Sequence, residues 1–178
     1  MSNKVLKYKK LYEFLEESID FRSSEGVPLS TNSRSEIEVE GKQLGIEVED
    51  IRPSNLDSLF RKGTNLYNRY IPGQYFNVGF DINDFTTQQE KTDYHTLAKI
   101  LGIVVKSIFT WIKENEPDVV TIFADGSTEQ ESRKKLVIYA SILQGNPELL
   151  SNPKYVWEKT KKASSGEPML VLIKVKEK

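Results

Sequence analysis

The chain has 178 residues, a formal net charge of −1 from 25 basic and 26 acidic side chains, and no cysteine. The length indicates one domain, and the balanced charge argues against a protein that wraps duplex nucleic acid, because such proteins carry a basic surplus. The lack of cysteine excludes disulfides, thiol nucleophiles and cysteine-ligated zinc.

The sequence shows neither a membrane span nor a secretory signal. No apolar stretch approaches the roughly 20 residues that a helix needs to cross a bilayer. No continuous apolar segment follows the N-terminal lysines, as it would in a signal peptide. We therefore expect a soluble protein of a cytoplasm, either a cell's own or that of an infected host, or of the virion if a phage encodes it.

The N-terminal part is predicted to be an appendage. Residues 4–18 combine alternating lysines and glutamates with an apolar stripe, which predicts an amphipathic helix. Its lysines come first and its glutamates last, against the helix macrodipole, so the helix needs a tertiary contact or a partner. A docking helix and an ordinary core helix with a solvated face both fit, and the second is favoured. Residues 20–35 are polar and predict a linker. We therefore expect an N-terminal helix and linker over residues 1–35, followed by a single α/β domain over residues 36–178.

Residues 36–50 are predicted to form a β-hairpin. Ile37 and Val39, and then Ile46 and Val48, alternate with polar residues on either side of a short loop that contains glycine. The outer side of this hairpin is acidic. We interpret it as an ordinary sheet face in contact with solvent; alternatively, it attracts a basic partner or repels nucleic acid. The acidic residues are Glu36, Glu38, Glu40, Glu47, Glu49 and Asp50.

Three elements are predicted in the middle of the chain. Ser54 caps a short helix that ends at Gly63. Residues 75–82 form a strand, within which Gly79 marks a bulge or the close approach of a backbone or ligand. Residues 93–116 form a long helix, because apolar residues recur at three-and-four spacing and Pro117 prevents its continuation.

The last part is predicted to be strand, helix, strand, strand. Residues 118–124 are a short apolar run rich in β-branched residues, which indicates a buried strand. A capping box at Ser127 or Thr128 opens a helix to about Leu143. Two strands follow, antiparallel across a loop, around Tyr155 and from Met169. The predicted fold class is α/β in the broad sense of a sheet with helices, and α+β in the stricter sense. The sheet is expected to be mixed, largely antiparallel and flanked by helices, with the order β-α-β-α-β-β in the C-terminal part.

This order, over residues 75–178, resembles the C-terminal half of the GNAT superfamily of N-acyltransferases. In that family a strand and the helix after it bind the acyl-CoA pyrophosphate, and a tyrosine of the next helix often protonates the leaving CoA thiolate. The family's N-x-x-A-x-x-L-Y pattern has the spacing of Ser132, Lys135, Ile138 and Tyr139. The resemblance implies acetyl-CoA as cofactor, Tyr139 as general acid, and entry of a substrate amine near Gly79.

The family's glycine-rich pyrophosphate loop has no counterpart here. Residues 84–96 contain no glycine and carry Asp84, Glu90 and Asp93, which place negative charge where a diphosphate would bind. The chain also resembles phage-encoded proteins of unknown role in its aromatic strand, long helix, P-D-V-V-T-I-F-A strand and Arg/Tyr helix. We therefore expect a non-catalytic binding or assembly protein on a GNAT-like scaffold, of a phage structural or host-interaction type, with a protein partner or self-assembly and no cofactor. An acyl-CoA-dependent N-acyltransferase that uses Tyr139 is the alternative.

Other candidate residues have an ordinary interpretation that is favoured. His95 is the only histidine and would serve as a base near a ligand, although a surface role fits as well. The carboxylates of Asp81, Asp84 and Asp93 would suit a hard cation, but their spacing is typical of turns, and we assign no metal site. The free N–H groups from Ser127 to Gln130 would hold an anion, although capping already explains this segment.

Nucleic-acid binding through aromatic stacking is a third hypothesis. It would require exposed tyrosines beside positive charge. Core packing of these tyrosines is favoured, because the chain is not basic overall. The residues concerned are Tyr67, Tyr70 and Tyr75, near Arg61, Lys62 and Arg69.

Overall fold

The computed structural model describes residues 24–83, 94–123 and 129–177. The predicted helix over residues 4–18 and the predicted capping box at Ser127 or Thr128 lie outside these residues. The backbone of His95 lies in a helix that the structure describes, whereas its side chain is not among the described groups.

A six-stranded sheet organises the described chain. Its strands are β1 (Ser33–Val39), β2 (Lys42–Asp50), β3 (Tyr75–Asn83), β4 (Val119–Phe123), β5 (Tyr155–Lys161) and β6 (Pro168–Lys174). They lie in the order β1-β2-β3-β4-β6-β5. Only β3 and β4 are parallel, and every other neighbouring pair is antiparallel. The predicted fold class, an α+β fold with a mixed and largely antiparallel sheet, is confirmed.

The hairpin of β1 and β2 forms as the alternation predicts. Glu40 and Gly41 make a two-residue turn in which both residues have positive φ, at 51° and 79°. Such turns match the right-handed twist of paired strands. The turn fixes the register, with Val39 opposite Lys42, and therefore decides which hairpin residues share a face.

Two helices cover one face of the sheet, here called the helical face. The long helix is α3 (Tyr94–Asn115), and the Tyr139 helix is α4 (Glu129–Gly145). Together with the inward residues of all six strands they form the larger core, which contains the buried residues Ile46, Val78, Val104, Ile108, Trp111, Val120 and Leu170. The chain leaves α3 at Glu116, whose φ is +46°, and Pro117 prevents a further helical turn, as the sequence predicts.

Two short helices cover part of the opposite face, here called the outer face. They are α1 (Pro53–Leu59) and α2 (Asn65–Asn68). The second core under them contains Ile51, Leu56, Phe60, Leu66, Tyr75, Val119, Met169 and Val171. Strands β4 and β6 are therefore buried on both faces, which explains their nearly continuous apolar sequences.

The predicted limits of α1 are wrong at both ends. Arg52, not Ser54, occupies the N-cap position, because Pro53 supplies a first helical residue that has no N–H to satisfy. The helix ends at Leu59, and Gly63, with φ of +83°, makes the turn that leads towards α2. Thr64 caps α2 by accepting a hydrogen bond from the Tyr67 N–H.

Part of the predicted linker packs against the domain. Val27 and Leu29 contact the larger core. The N–H of Val27 donates to Ser107 Oγ at 2.7 Å, and this hydroxyl donates in turn to the carbonyl of Ile103. Strand β1 then begins at Ser33, within the predicted linker. The chain before β1 is thus tied to the middle of α3.

Candidate functional site

Strands β3 and β4 are the parallel pair, and their carboxyl ends define the first candidate site. Their pairing runs over four positions, from Tyr75 opposite Val119 to Val78 opposite Ile122. Strand β3 continues to Asn83, and beyond Val78 it pairs with β2 alone within the described residues. The carboxyl ends of parallel strands are where sheets flanked by helices commonly bind ligands.

Gly79 lies where this pairing ends. It sits in regular register opposite Glu47, so the predicted bulge is wrong. A Cβ placed on it meets no atom within 4 Å, so close approach of another backbone is not the reason for a glycine here. Gly79 leaves open space on the outer face of the sheet.

Tyr139 lies on the other side of the same pair of strands. Its ring packs on Phe80 of β3, with 5.7 Å between centroids. Beside it is an apolar cavity of about 40 Å³ between α3, α4 and the sheet, lined by residues that include Val104, Phe109, Ile122, Leu143 and Leu170. Such a volume has room for only a few water molecules. Tyr139 is therefore half-buried in apolar packing beside the end of the β3–β4 pairing.

Among the residues described, no group of three or more acidic, histidine or cysteine side chains is arranged to hold a metal ion. Asp81 instead receives hydrogen bonds from Arg34, at 2.6 Å from Nη2 and 3.2 Å from Nη1. Asp84 and Asp93, the other two predicted ligands, lie outside the described residues. Of the candidate anion site over residues 127–130, Ser127 and Thr128 also lie outside the described residues.

The second candidate site is the outer face of β1, β2 and β3. The register places five carboxylates on this face, around one guanidinium. The group is here called the acidic patch: Glu36, Glu38, Glu47, Glu49 and Asp81 around Arg34. Five negative groups against one positive group leave a formal charge of −4, whereas the whole chain carries −1.

Arg34 holds three strands together across the acidic patch. Its Nε lies 2.8 Å from Glu36 on its own strand, and Nη1 lies 3.9 Å from Glu47 on β2. It reaches Asp81 on β3 because Gly45 has no side chain, and a Cβ at that position would collide with the guanidinium. The hydrogen bonds to Asp81 and Glu36 raise the pKa of Arg34 above its already high ordinary value.

A polar groove of about 420 Å³ adjoins the patch. Glu47, Glu49 and Asp50 line it with Arg34 and Arg52. Asp50 Oδ1 is buried without a hydrogen-bond partner. A buried acceptor without a donor is uncommon in native proteins.

The chain matches no family model, no curated protein and no solved structure.

The three tyrosines considered for stacking with bases lie in the second core or pack against it. Tyr75 is buried, its hydroxyl donates to the Leu66 carbonyl, and burial raises its pKa. The Tyr70 ring packs edge-on against it, with 5.2 Å between centroids. The Tyr67 hydroxyl donates to Asp57 at 2.7 Å, which raises the pKa of Tyr67 and lowers that of Asp57. Core packing accounts for Tyr70 and Tyr75.

The Arg34 bridge was not predicted. The acidic residues of the hairpin are recognisable from the sequence, but no local pattern pairs Arg34 with Asp81, 47 residues away. One signal was present: Gly45 interrupts an otherwise alternating strand, and such a glycine often permits a close approach. Arg34 is the group that approaches.

Proposed function

We propose that this protein is a non-catalytic binding or assembly protein and that the acidic patch is its contact surface for a basic protein partner. The observation that carries the proposal is the concentration of negative charge on one exposed face of the sheet. Three of the carboxylates, on Glu36, Glu47 and Asp81, have side chains that are about half exposed, at 51%, 44% and 53%.

The arrangement of Arg34 supports this role. It carries the positive charge at the centre of the patch and pairs with Glu36 on its own strand and with Asp81 on β3. Glu38 and Glu49 have no ion-pair partner within the described chain and remain available to lysine or arginine of a partner. Complementary charge of this kind mainly raises the rate of association and selects the partner.

The adjoining groove extends the same surface. Glu47 and Glu49 of the patch line this groove together with Arg34 and Arg52. An arginine or lysine of the partner that entered the groove would meet these two carboxylates, and hydrogen bonds to charged groups are the stronger ones.

Charge reversal tests this proposal. The wild-type protein, purified from its native source, is expected to form a stable assembly by size exclusion and to retain a basic partner in pull-down. Glu47→Lys with Glu49→Lys should weaken capture at least about tenfold, because both changes replace attraction with repulsion. Glu114→Lys with Glu158→Lys is the matched control, since these exposed residues lie on α3 and β5. A monomer without a partner, or equal loss in both variants, would refute the contact surface.

The scaffold itself we propose to be GNAT-like, and the faint similarity to phage proteins favours a structural or host-interaction role. The element order from Tyr75, strand, helix, strand, helix, strand, strand, supports the scaffold proposal. The glycine-free sequence of residues 84–96 supports a role without a phosphate-bearing cofactor.

A second candidate function, acyl-CoA-dependent N-acyl transfer, is favoured by one observation. The β3–β4 pairing ends at Val78, with open space at Gly79 on one face and Tyr139 beside Phe80 on the other. Calorimetry with acetyl-CoA is the test. Absence of binding at millimolar ligand would end this candidate; if acetyl-CoA binds, Tyr139→Phe should lower turnover while leaving affinity nearly unchanged, as expected for a proton donor.

A further inference from the structure

A groove at the β5 end of the outer face, opposite the acidic patch in the strand order, has the size of a small-molecule site. It has a volume of about 570 Å³ and lies between α1, α2, the outer side of β5 and the loop from β5 to β6. Sites for small organic molecules measure roughly 300–1,000 Å³ and are lined mainly by apolar side chains. The apolar side chains of this groove belong to the second core or pack against it: Leu59, Phe60, Leu66 and Ile173.

Backbone hydrogen bonds fix one end of the groove. The N–H of Ala163 donates to the carbonyl of Leu59 at 3.2 Å. The N–H of Ser164 donates to the carbonyl of Ser58 at 3.0 Å. These two bonds attach the loop between β5 and β6 to the end of α1, so the wall of the groove is part of the folded domain.

The lining of the groove has an excess of positive charge. Its charged side chains are Arg61, Glu158, Lys161 and Lys162. Lys162 pairs with Glu167 at 2.8 Å, and Lys62, which does not line the groove, pairs with Asp57 at 3.3 Å. The cations of the lining that make no ion pair within the described chain are Arg61 and Lys161.

These two cations lie at the loop end, whereas the carboxylate of the lining lies further along. Arg61 is two residues after Leu59 and Lys161 is two residues before Ala163, so each is at most about 7 Å of chain from the bond that joins the loop to α1. Glu158 is three residues before Lys161 on β5, about 10 Å along a strand. The groove therefore complements a molecule that has one anionic head and an apolar body.

We propose that this groove binds a medium-chain carboxylate, with its head at Arg61 and Lys161 and its acyl chain on Leu66 and Ile173. Arginine suits a carboxylate because its planar guanidinium can donate two parallel hydrogen bonds. Removal of the acyl chain from water stabilises the complex in proportion to the apolar area covered. Glu158 repels a carboxylate at the far end, which fixes the orientation and limits the chain to about 10 Å. The site needs no protein partner and is independent of the acidic patch.

Titration of the full, ¹⁵N-labelled chain with octanoate, followed by amide chemical shifts, tests the proposal. Saturable shifts are expected at residues 59–66 and 158–163. The uncharged analogue 1-octanol should cause shifts at the same residues but bind at least about tenfold more weakly, because it lacks the charge-assisted hydrogen bonds. Shifts that do not saturate, that lie elsewhere, or that are equally strong with 1-octanol would overturn the proposal.

Charge substitutions test the head site. Arg61→Gln with Lys161→Gln should weaken octanoate binding about five- to twentyfold, because each exposed cation contributes up to about fivefold, and should leave 1-octanol binding unchanged. The matched control is Lys113→Gln with Lys154→Gln, which removes the same charge from exposed positions outside the groove. Equal weakening in both double variants would show general attraction by positive charge and refute the site.

Groove-filling substitutions test the apolar part. Thr160→Trp, and Ala163→Trp at an exposed position of the lining, should each abolish the saturable shifts with octanoate and with 1-octanol. Val156→Trp is the control, because Val156 lies on the outer side of the same strand but does not line the groove. Circular dichroism establishes that each variant is folded, and the exposed Ala163 position provides the result if Thr160→Trp unfolds. Binding by a folded groove-filling variant that equals the wild type would contradict the proposal.

Discussion

Replacing Tyr155 by phenylalanine removes one buried hydroxyl and nothing else. This side chain is 4% exposed, and its hydroxyl donates to the Pro117 carbonyl at 2.6 Å, joining β5 to the turn between α3 and β4. Removing the donor leaves a buried carbonyl oxygen without a partner, which costs about 1–3 kcal/mol. For a chain of this length the expected fall in Tm is roughly 2–12 °C.

The effect of Tyr155→Phe should also depend on pH. Burial, helped by the negative charges of Glu116 and Asp118, raises the pKa of Tyr155 above its ordinary value near 10. Above pH 10 the unfolded chain therefore loses this proton while the folded protein keeps it. The wild type then loses up to about 1.4 kcal/mol of stability per pH unit from this group, and the variant does not.

Urea unfolding of both proteins at pH 8, 9, 10 and 11 measures this directly. The difference in unfolding free energy should be constant up to about pH 9.5 and shrink by roughly 1.4 kcal/mol by pH 11. Other tyrosines ionise in both proteins, so they cancel in the difference. A difference that is absent at pH 8, or that stays constant to pH 11, would refute the buried hydrogen bond.

Two further predictions concern Arg34 and Ser107. Gly45→Ala should displace Arg34 from Asp81, and the lost ion pair, worth about 1 kcal/mol at most, should offset the stability gained by replacing a glycine in a strand. In an Arg34→Ala background the same substitution should stabilise the protein by about 0.5–1 kcal/mol. A double-mutant cycle that shows no coupling between Arg34 and Gly45 would contradict the bridge. Ser107→Ala should leave the Val27 N–H without its acceptor, which should destabilise the protein by about 1–3 kcal/mol. Hydrogen exchange of the backbone amides of residues 24–29 should become faster in this variant. Unchanged exchange at these residues would show that the Ser107 hydroxyl does not hold this segment.

The proposed functions differ in what they require of the same sheet. Binding through the acidic patch needs only a fixed register and exposed charge, and both are present on the outer face. Acyl transfer would need a thioester beside Tyr139, where the cavity has about 40 Å³. A helix shift that opened the space between α3 and α4 would therefore be a precondition for catalysis.

Local sequence patterns were sufficient to predict most of the helices and strands. The three-and-four spacing and Pro117 predicted α3, and alternation or short β-branched runs predicted β3, β4 and β6, because such patterns depend only on residues close in sequence. The limits of α1 were wrong because Ser54 and Gly63 resemble capping residues, whereas Pro53 and the packing of Phe60 decided where the helix begins and ends.

Sequence alone therefore determined the α+β class, the long helix, the buried strands, the acidic character of the hairpin and the absence of thiol chemistry. Tertiary structure decided that Arg34 bridges three strands over Gly45, that Tyr139 lies in apolar packing beside Phe80, and that Val27 is anchored to Ser107. The physical reason is separation along the chain. Helical and strand periodicity is encoded within a few residues, but a contact between residues 47 or 80 positions apart depends on strand register and on how helices cover the sheet.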